Sequence, residues 1–184
     1  REELVMSLVT FIGPKPNLLA VDETHPPMRL EAAQPVLTLD ELAQLKAIAT
    51  FTQNQYKSIV LDITYPLTQG KAGMAKAVAG ITSAAEKAVQ DGFNILILSD
   101  RGVSADRMAI PALLACSATH EHLVKTGLRT SAGLVVDTGS AHEVHHFALL
   151  AGYGAEAVCP WLAFETIKHM DVKDSNEAAK KFVK

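Results

Sequence analysis

Two hydrophobic rhythms divide this chain. From residue 58 onward, short uninterrupted apolar runs alternate with longer stretches in which apolar residues recur every three or four positions. Uninterrupted runs mark strands covered on both faces, and recurring stripes mark helices packed on one side. Strands are predicted at 58–63, 94–98, 133–136 and 155–159. A helix is predicted at 73–90, with Met74, Val78, Ile81, Ala85 and Val89 along one face and Gly92 just past its end. A second runs from Pro111, a good first helical residue, to Gly127. A third opens at Ser140 and ends near Gly152, and a fourth follows Pro160 as far as His169. Asp174 and Glu177 suggest a last helix that reaches Lys184.

The first fifty residues behave differently. Leu4, Val5, Leu8, Phe11 and Ile12 fall at helical spacing and stop at Gly13 and Pro14. Residues 13–37 read as irregular, because Pro14, Pro16, Pro26, Pro27 and Pro35 forbid a long regular element. Thr38 with Glu41 forms a capping box for a short helix whose stripe is Leu42, Leu45 and Ile48. The expected organisation is one domain over 1–184, with a helical and irregular segment at 1–50 and a repeated strand–helix core at 58–170.

Four strand–helix units in succession predict an α/β fold with a mostly parallel sheet of about four to five strands and flanking helices. A complete (β/α) barrel needs about 250 residues and eight such units. Four leave two architectures open: a half-barrel-like open sheet, or a small doubly wound domain.

Composition narrows the function classes. Hydrophobic residues at 48% and charged residues at 20% exclude wholesale disorder. The 27 alanines beside 5% aromatics suit small-residue helices lying close on a sheet. A net charge of −3 gives no basic field for nucleic acid, and no apolar run reaches the roughly 18 residues of a membrane span. Cys116 and Cys159 allow at most one bridge and no cysteine-rich cluster, so a reducing, cytoplasmic-type compartment is expected. A start at Arg1 without Met suggests a piece of a longer polypeptide.

In parallel sheets, chemistry gathers at the carboxyl ends of strands. Those ends carry Asp62 and Thr64; Ser99, Asp100 and Arg101; Asp137, Thr138 and Gly139; and Cys159. Asp100 beside Arg101 reads as a loop ion pair, or as a grip on a polar substrate. Residues 137–140 match the short aspartic-protease signature, but that chemistry needs two facing aspartates, and one occurs here. Asp137 is instead expected to end a strand, with Gly139 in the turn and Ser140 capping the next helix.

Residues 142–146 match H-E-x-x-H, which on a helix sets two histidines one turn apart to hold zinc. Two points count against catalytic zinc. Ser140 and Glu143 form a capping box, which occupies Glu143, and no third ligand stands at a recognised spacing. Val144, Phe147, Ala148 and Ala151 are expected to face the sheet, with His142, His145, His146, Leu149 and Leu150 facing a neighbour outside this chain. His120 and His122, two apart, share no helix face and read as surface or interface residues. The glycines at 152–157 follow a helix and precede a strand, the wrong order for a dinucleotide loop. Cys116 and Cys159 read as buried, inert thiols.

Longer strings carry a more specific signal: residues 98–101, 110–115, 122–129, 160–165 and above all 143–155, with Pro35, Val36 and Leu37 upstream. These resemble the central domain of the glutamate synthase large subunit over most of the chain. The resemblance implies a partial, rudimentary (β/α) barrel related to the flavin barrel of that enzyme but without its flavin. It implies a parent that makes two glutamates from glutamine and 2-oxoglutarate, for ammonia assimilation and glutamate biosynthesis. An N-terminal amidotransferase domain there releases ammonia, and a later domain carries FMN and a 3Fe-4S cluster. The central domain would be a non-catalytic connector between them that helps form the ammonia passage.

Accordingly no catalytic, cofactor-binding or metal residue is assigned here, and the isolated chain is expected to be inactive and cofactor-free. Asp100, Arg101, His142, His145 and His146 are the interface candidates. The expected partners are the amidotransferase and FMN-binding domains of the same polypeptide, with no nucleic acid and no membrane, in the cytoplasm or, for a plant or alga, the plastid. The rival readings are a stand-alone zinc hydrolase built on residues 142–146 and an autonomous small-ligand-binding α/β domain.

Overall fold

A computed structural model of the chain describes residues 8–15, 30–170 and 174–183. Its centre is a parallel sheet of β3 (Ser58–Asp62), β5 (Ile95–Ser99), β7 (Gly133–Asp137) and β8 (Ala157–Cys159), in that spatial order. β5 and β7 are buried along their whole length, which is why their sequences are uninterrupted apolar runs. The strands lie in chain order with no reversal, and a doubly wound sheet would need one. The half-barrel-like alternative is therefore the observed fold, an open α/β sheet that does not close.

Strand geometry sends alternate side chains to opposite faces. Leu96, Leu98, Leu134, Val136 and Val158 face one cluster. It is filled by Ile81, Ala85 and Val89 of α3 (Gly70–Gln90), Ala115, Cys116 and Leu123 of α4 (Ala112–Lys125), and Leu150 of α5 (Val144–Gly152). Ile95, Ile97, Val135, Ala157 and Cys159 face the other cluster with Leu42 and Leu45 of α1 (Leu39–Lys46) and Ile48 of the single turn α2 (Ile48–Phe51). That second face would be a barrel's interior; here the N-terminal segment covers it. Each large apolar side chain so buried contributes about 1.5–3 kcal/mol.

Several elements follow the sequence closely. Thr38 and Glu41 make the full capping box on α1. Asp174 Oδ1 accepts from the amides of Asn176 and Glu177 and caps α7 (Ser175–Val183). α6 (Trp161–His169) begins after Pro160. Gly154, at φ +108, turns the chain after α5; a side chain there would strike the His120 ring.

Others do not. Residues 10–12 are not helical: β1 (Thr10–Ile12) pairs antiparallel with β2 (Leu30–Ala32), so the apparent helical spacing is that of a short hairpin arm with Ile12 buried. The rest of that expected helix, 1–7, and most of the proline-rich stretch, 16–29, lie outside the described residues. Pro35 and Leu37 are not irregular either, since they hydrogen-bond both sides of Val158 and extend the sheet by a rung. A small antiparallel ribbon pairs β4 (Thr64–Pro66), which follows β3, with β6 (Arg107–Ala109), which follows β5, and carries no clear alternation in sequence.

The third helix is the largest correction. α5 starts at Val144, not Ser140. The Ser140–Glu143 capping box is not formed: Glu143 stands at the N-cap in extended backbone with no side-chain cap bond, and the Ser140 hydroxyl lies 2.9 Å from that of Thr138. The faces also differ. Leu150 is buried and Phe147 half-buried, whereas Val144 is 86% exposed and Ala148 and Ala151 are exposed. The residues of α5 that meet the core are thus Phe147 and Leu150.

At the amino ends of the strands, Glu156 ties the N-terminal hairpin to the core. One of its oxygens accepts from the Gly13 amide at 3.0 Å, and the other pairs with Lys15 at 3.1 Å and Arg129 at 3.2 Å. Arg129 also donates to His120 Nδ1, Ala132 O and Gly154 O. The approach is so close that a Cβ on Gly133 would stand 2.4 Å from the Gly13 nitrogen.

Candidate functional site

Parallel register sets Asp62, Ser99, Asp137 and Cys159 side by side at the carboxyl ends of the four strands. All four share the strand parity of the face covered by α1. That parity delivers Lys46, the last residue of α1, to Asp137 at 3.4 Å.

Asp137 is fully buried. Its Oδ2 accepts from Ser99 Oγ at 3.0 Å and from Arg101 Nε at 2.8 Å, and its Oδ1 has no hydrogen-bond partner among the described residues. Burial presses the Arg101 guanidinium pKa down, and the Asp137 carboxylate more than restores it, leaving the pKa raised. The guanidinium also lies over the Trp161 ring, 5.2 Å from its centroid.

Asp100 does not pair with Arg101. It is buried and binds the next loop instead: Thr138 Oγ1 donates at 2.5 Å, Trp161 Nε1 at 2.6 Å, and the Gly139 amide reaches both oxygens. The expected loop ion pair is thus replaced by a cross-loop brace, because the side chains of adjacent residues diverge at a strand end. Gly139 gives close passage to the Trp161 ring rather than a left-handed turn.

Asp62 belongs to a separate knot: Arg107 donates to Asp62 Oδ2 and to Thr64 Oγ1 and O, and Thr64 donates to Asp62 Oδ1. Burial pushes both thiols up to about 12, with Asp137 adding to the effect at Cys159. Both cysteines are free, buried and poorly suited to thiolate chemistry.

Of the interface candidates, Asp100 is buried, Arg101 is about one-third exposed, His142 and His145 are exposed, and His146 is half-buried. His142, Glu143 and His146 converge, with donor atoms all within 4.8 Å of one another. The second histidine pair is intramolecular. His122 bonds Glu86 of α3 at 2.6 Å, and His120 accepts from Arg129, its pKa lowered by burial and then by that guanidinium. Sequence reasoning missed Lys46, Trp161 and Arg107. None neighbours its partner in sequence; only the strand register and the ribbon bring them in.

An open parallel sheet in chain order, with its strand-end polar groups bonded mainly to one another, defines the class: a partial (β/α) barrel domain. Residues 1–184 match the family described as the glutamate synthase central domain, and the chain belongs to it. It is 41% identical over 167 residues to the Schizosaccharomyces pombe protein named glutamate synthase [NADH], covering 91% of this chain and 8% of that one. It is 38% identical over 168 residues to the Bacillus subtilis glutamate synthase [NADPH] large chain, covering 91% and 10%. It is 39% identical over 182 residues to ferredoxin-dependent glutamate synthase 1 of Arabidopsis thaliana, described as chloroplastic/mitochondrial, covering 97% and 11%. The chain therefore spans about a tenth of the length of the relatives it matches. No helix among the described residues is long and apolar enough to cross a membrane.

Proposed function

We propose that this chain is the non-catalytic connecting domain of a glutamate synthase. It holds a glutamine amidotransferase domain against an FMN and iron–sulfur synthase domain and helps wall the route by which ammonia passes between them. Unprotonated ammonia is the nucleophile, and a walled route keeps it from protonation in bulk water. The parent polypeptide would make two glutamates from glutamine and 2-oxoglutarate, with FMN and a 3Fe-4S cluster bound outside this chain, in the cytoplasm or a plastid.

The observation that carries this reading is the strand-end network. Where a (β/α) barrel enzyme presents reactive groups, Asp100, Asp137, Arg101 and Trp161 are engaged with each other. Two further facts support it. Val144 and Leu162 are exposed apolar residues that suit contact with neighbouring domains. Relatives named for NADH, NADPH and ferredoxin match at 37–41% identity alike, as expected if electron-donor choice resides elsewhere.

The test uses both the chain and its parent. The 184-residue chain should show no glutaminase or synthase turnover and no saturable FMN binding. In the parent, Val144→Asp should uncouple the two half-reactions, so that glutamine hydrolysed exceeds glutamate formed from 2-oxoglutarate. Turnover by the chain alone would overturn the proposal.

A further inference from the structure

The segment 142–146 fails as a helical zinc motif and succeeds as something else. On a continuous helix, a residue one position after the first histidine points about 100° away from it. It could then serve as a general base but not as a ligand. Here α5 begins only at Val144, and Glu143 is extended, at φ −130 and ψ 153. His142 and Glu143 are both outside the helix and both free to turn toward His146 in its first turn. Their donor atoms, with one from His146, lie within 4.8 Å of one another.

The imidazoles are already organised. The two rings pack edge to face at 4.6 Å, and the His142 amide donates to His146 Nδ1 at 3.3 Å. With Nδ1 accepting, the neutral ring carries its proton on Nε2, so an ion would take the place of the His142 amide at Nδ1 or of the proton at Nε2. Glu143 is not engaged in capping, so its carboxylate is available. Glu143 places a third donor within reach of the two imidazoles, where the sequence spacing offers none.

We infer that His142, Glu143 and His146 form a surface site for one borderline-soft divalent transition cation, of which Zn²⁺ is the type. Two histidines and one carboxylate are a recognised zinc donor set, with bonds of about 2.0–2.2 Å and a fourth position for water. Closing from separations of up to 4.8 Å would bring the exposed His142 and Glu143 side chains toward half-buried His146. The bound ion would fasten the turn at 141–143 to α5. No hydrolytic role is assigned to it, and the inference is independent of the connecting role proposed above.

The experiment is calorimetric titration of the purified 184-residue chain with Zn²⁺ alone, repeated with Co²⁺ to read its visible absorption. One equivalent should bind saturably. His142→Ala and His146→Ala should each weaken binding by more than the roughly tenfold to hundredfold that loss of a merely orienting group costs, and Glu143→Gln should weaken it as well. His145→Ala, which alters the neighbouring imidazole outside the cluster, should leave binding unchanged. Zn²⁺ should raise the melting temperature of the unsubstituted 184-residue chain and not that of His146→Ala. Absence of saturable binding, or an equal loss from His145→Ala, would overturn the site.

Discussion

The two ends of the parallel sheet are both closed by charged networks, yet they are closed against different kinds of surroundings. At the amino ends, Arg129 and Glu156 are 11% and 7% exposed at their side chains, and they join the N-terminal hairpin to β7, α4 and the turn after α5. At the carboxyl ends, Asp137 is buried but its cations are not: Lys46 and Arg101 are 34% and 37% exposed. A buried pair loses much when one member is removed, because the other is left uncompensated, whereas water substitutes for a partner at an exposed head. The amino end is a structural seam. The carboxyl end keeps two partly exposed cations around a buried carboxylate.

The strongest challenge to this contrast is a matched pair of charge deletions. Arg129→Met should cost about 3–5 kcal/mol by urea unfolding, and Arg101→Met about 1 kcal/mol, since Asp137 retains Ser99 and Lys46. Equal losses would erase the distinction. Gly133→Ala should cost about 3 kcal/mol, because the new methyl meets the backbone of Gly13 and the carboxylate of Glu156 rather than a yielding side chain. At the other end, Asp100→Asn should cost about 2 kcal/mol by leaving donors poorly matched. It should also shift the fluorescence of Trp161, the single tryptophan of the chain, whose indole it binds.

Two smaller effects depend on pH. Cys116 and Cys159 titrate at about 12 when folded, against 9.0 ordinarily. The folded state therefore holds these protons longer, and their contribution is complete below pH 9 and is lost as pH rises toward 12. Native protein should resist thiol reagents at pH 8 and react on unfolding. His120 has the opposite sense: burial and Arg129 lower its folded pKa below 6.5. Its contribution is present above pH 6.5 and is lost as pH falls through the lowered folded value. Hydrogen exchange on mild acidification should therefore quicken first at the amino-end seam, and His120→Gln should remove that difference.

Much of the architecture was legible in the residues. The strands β5 and β7 announce themselves because burial on both faces leaves no polar position in the run, and Thr38 with Glu41 announces α1 because a capping box is local chemistry. The hairpin arm at 10–12 is hidden in the sequence because Phe11 and Ile12 also fit the helical spacing that Leu4, Val5 and Leu8 begin. The start of α5 differs from the one that Ser140 and Glu143 suggest, because that capping box does not form. Ser140 is bonded to Thr138, so the helix waits four residues. In the strand-end network, Asp100, Arg101 and Asp137 stand out in the sequence, but Trp161, which binds Asp100, and Lys46, which pairs with Asp137, do not.

The sequence by itself determined the α/β class, the four strand–helix units and the family, because apolar periodicity and long ordered strings are properties of the chain alone. Tertiary structure decided which carboxylate meets which cation, which face of α5 is wet, and that Glu143 turns toward two histidines. Those outcomes depend on strand register, helix start and the N-terminal cover of the sheet, which bring together residues as far apart as Lys46 and Asp137. Local spacing holds no record of contacts made at that distance.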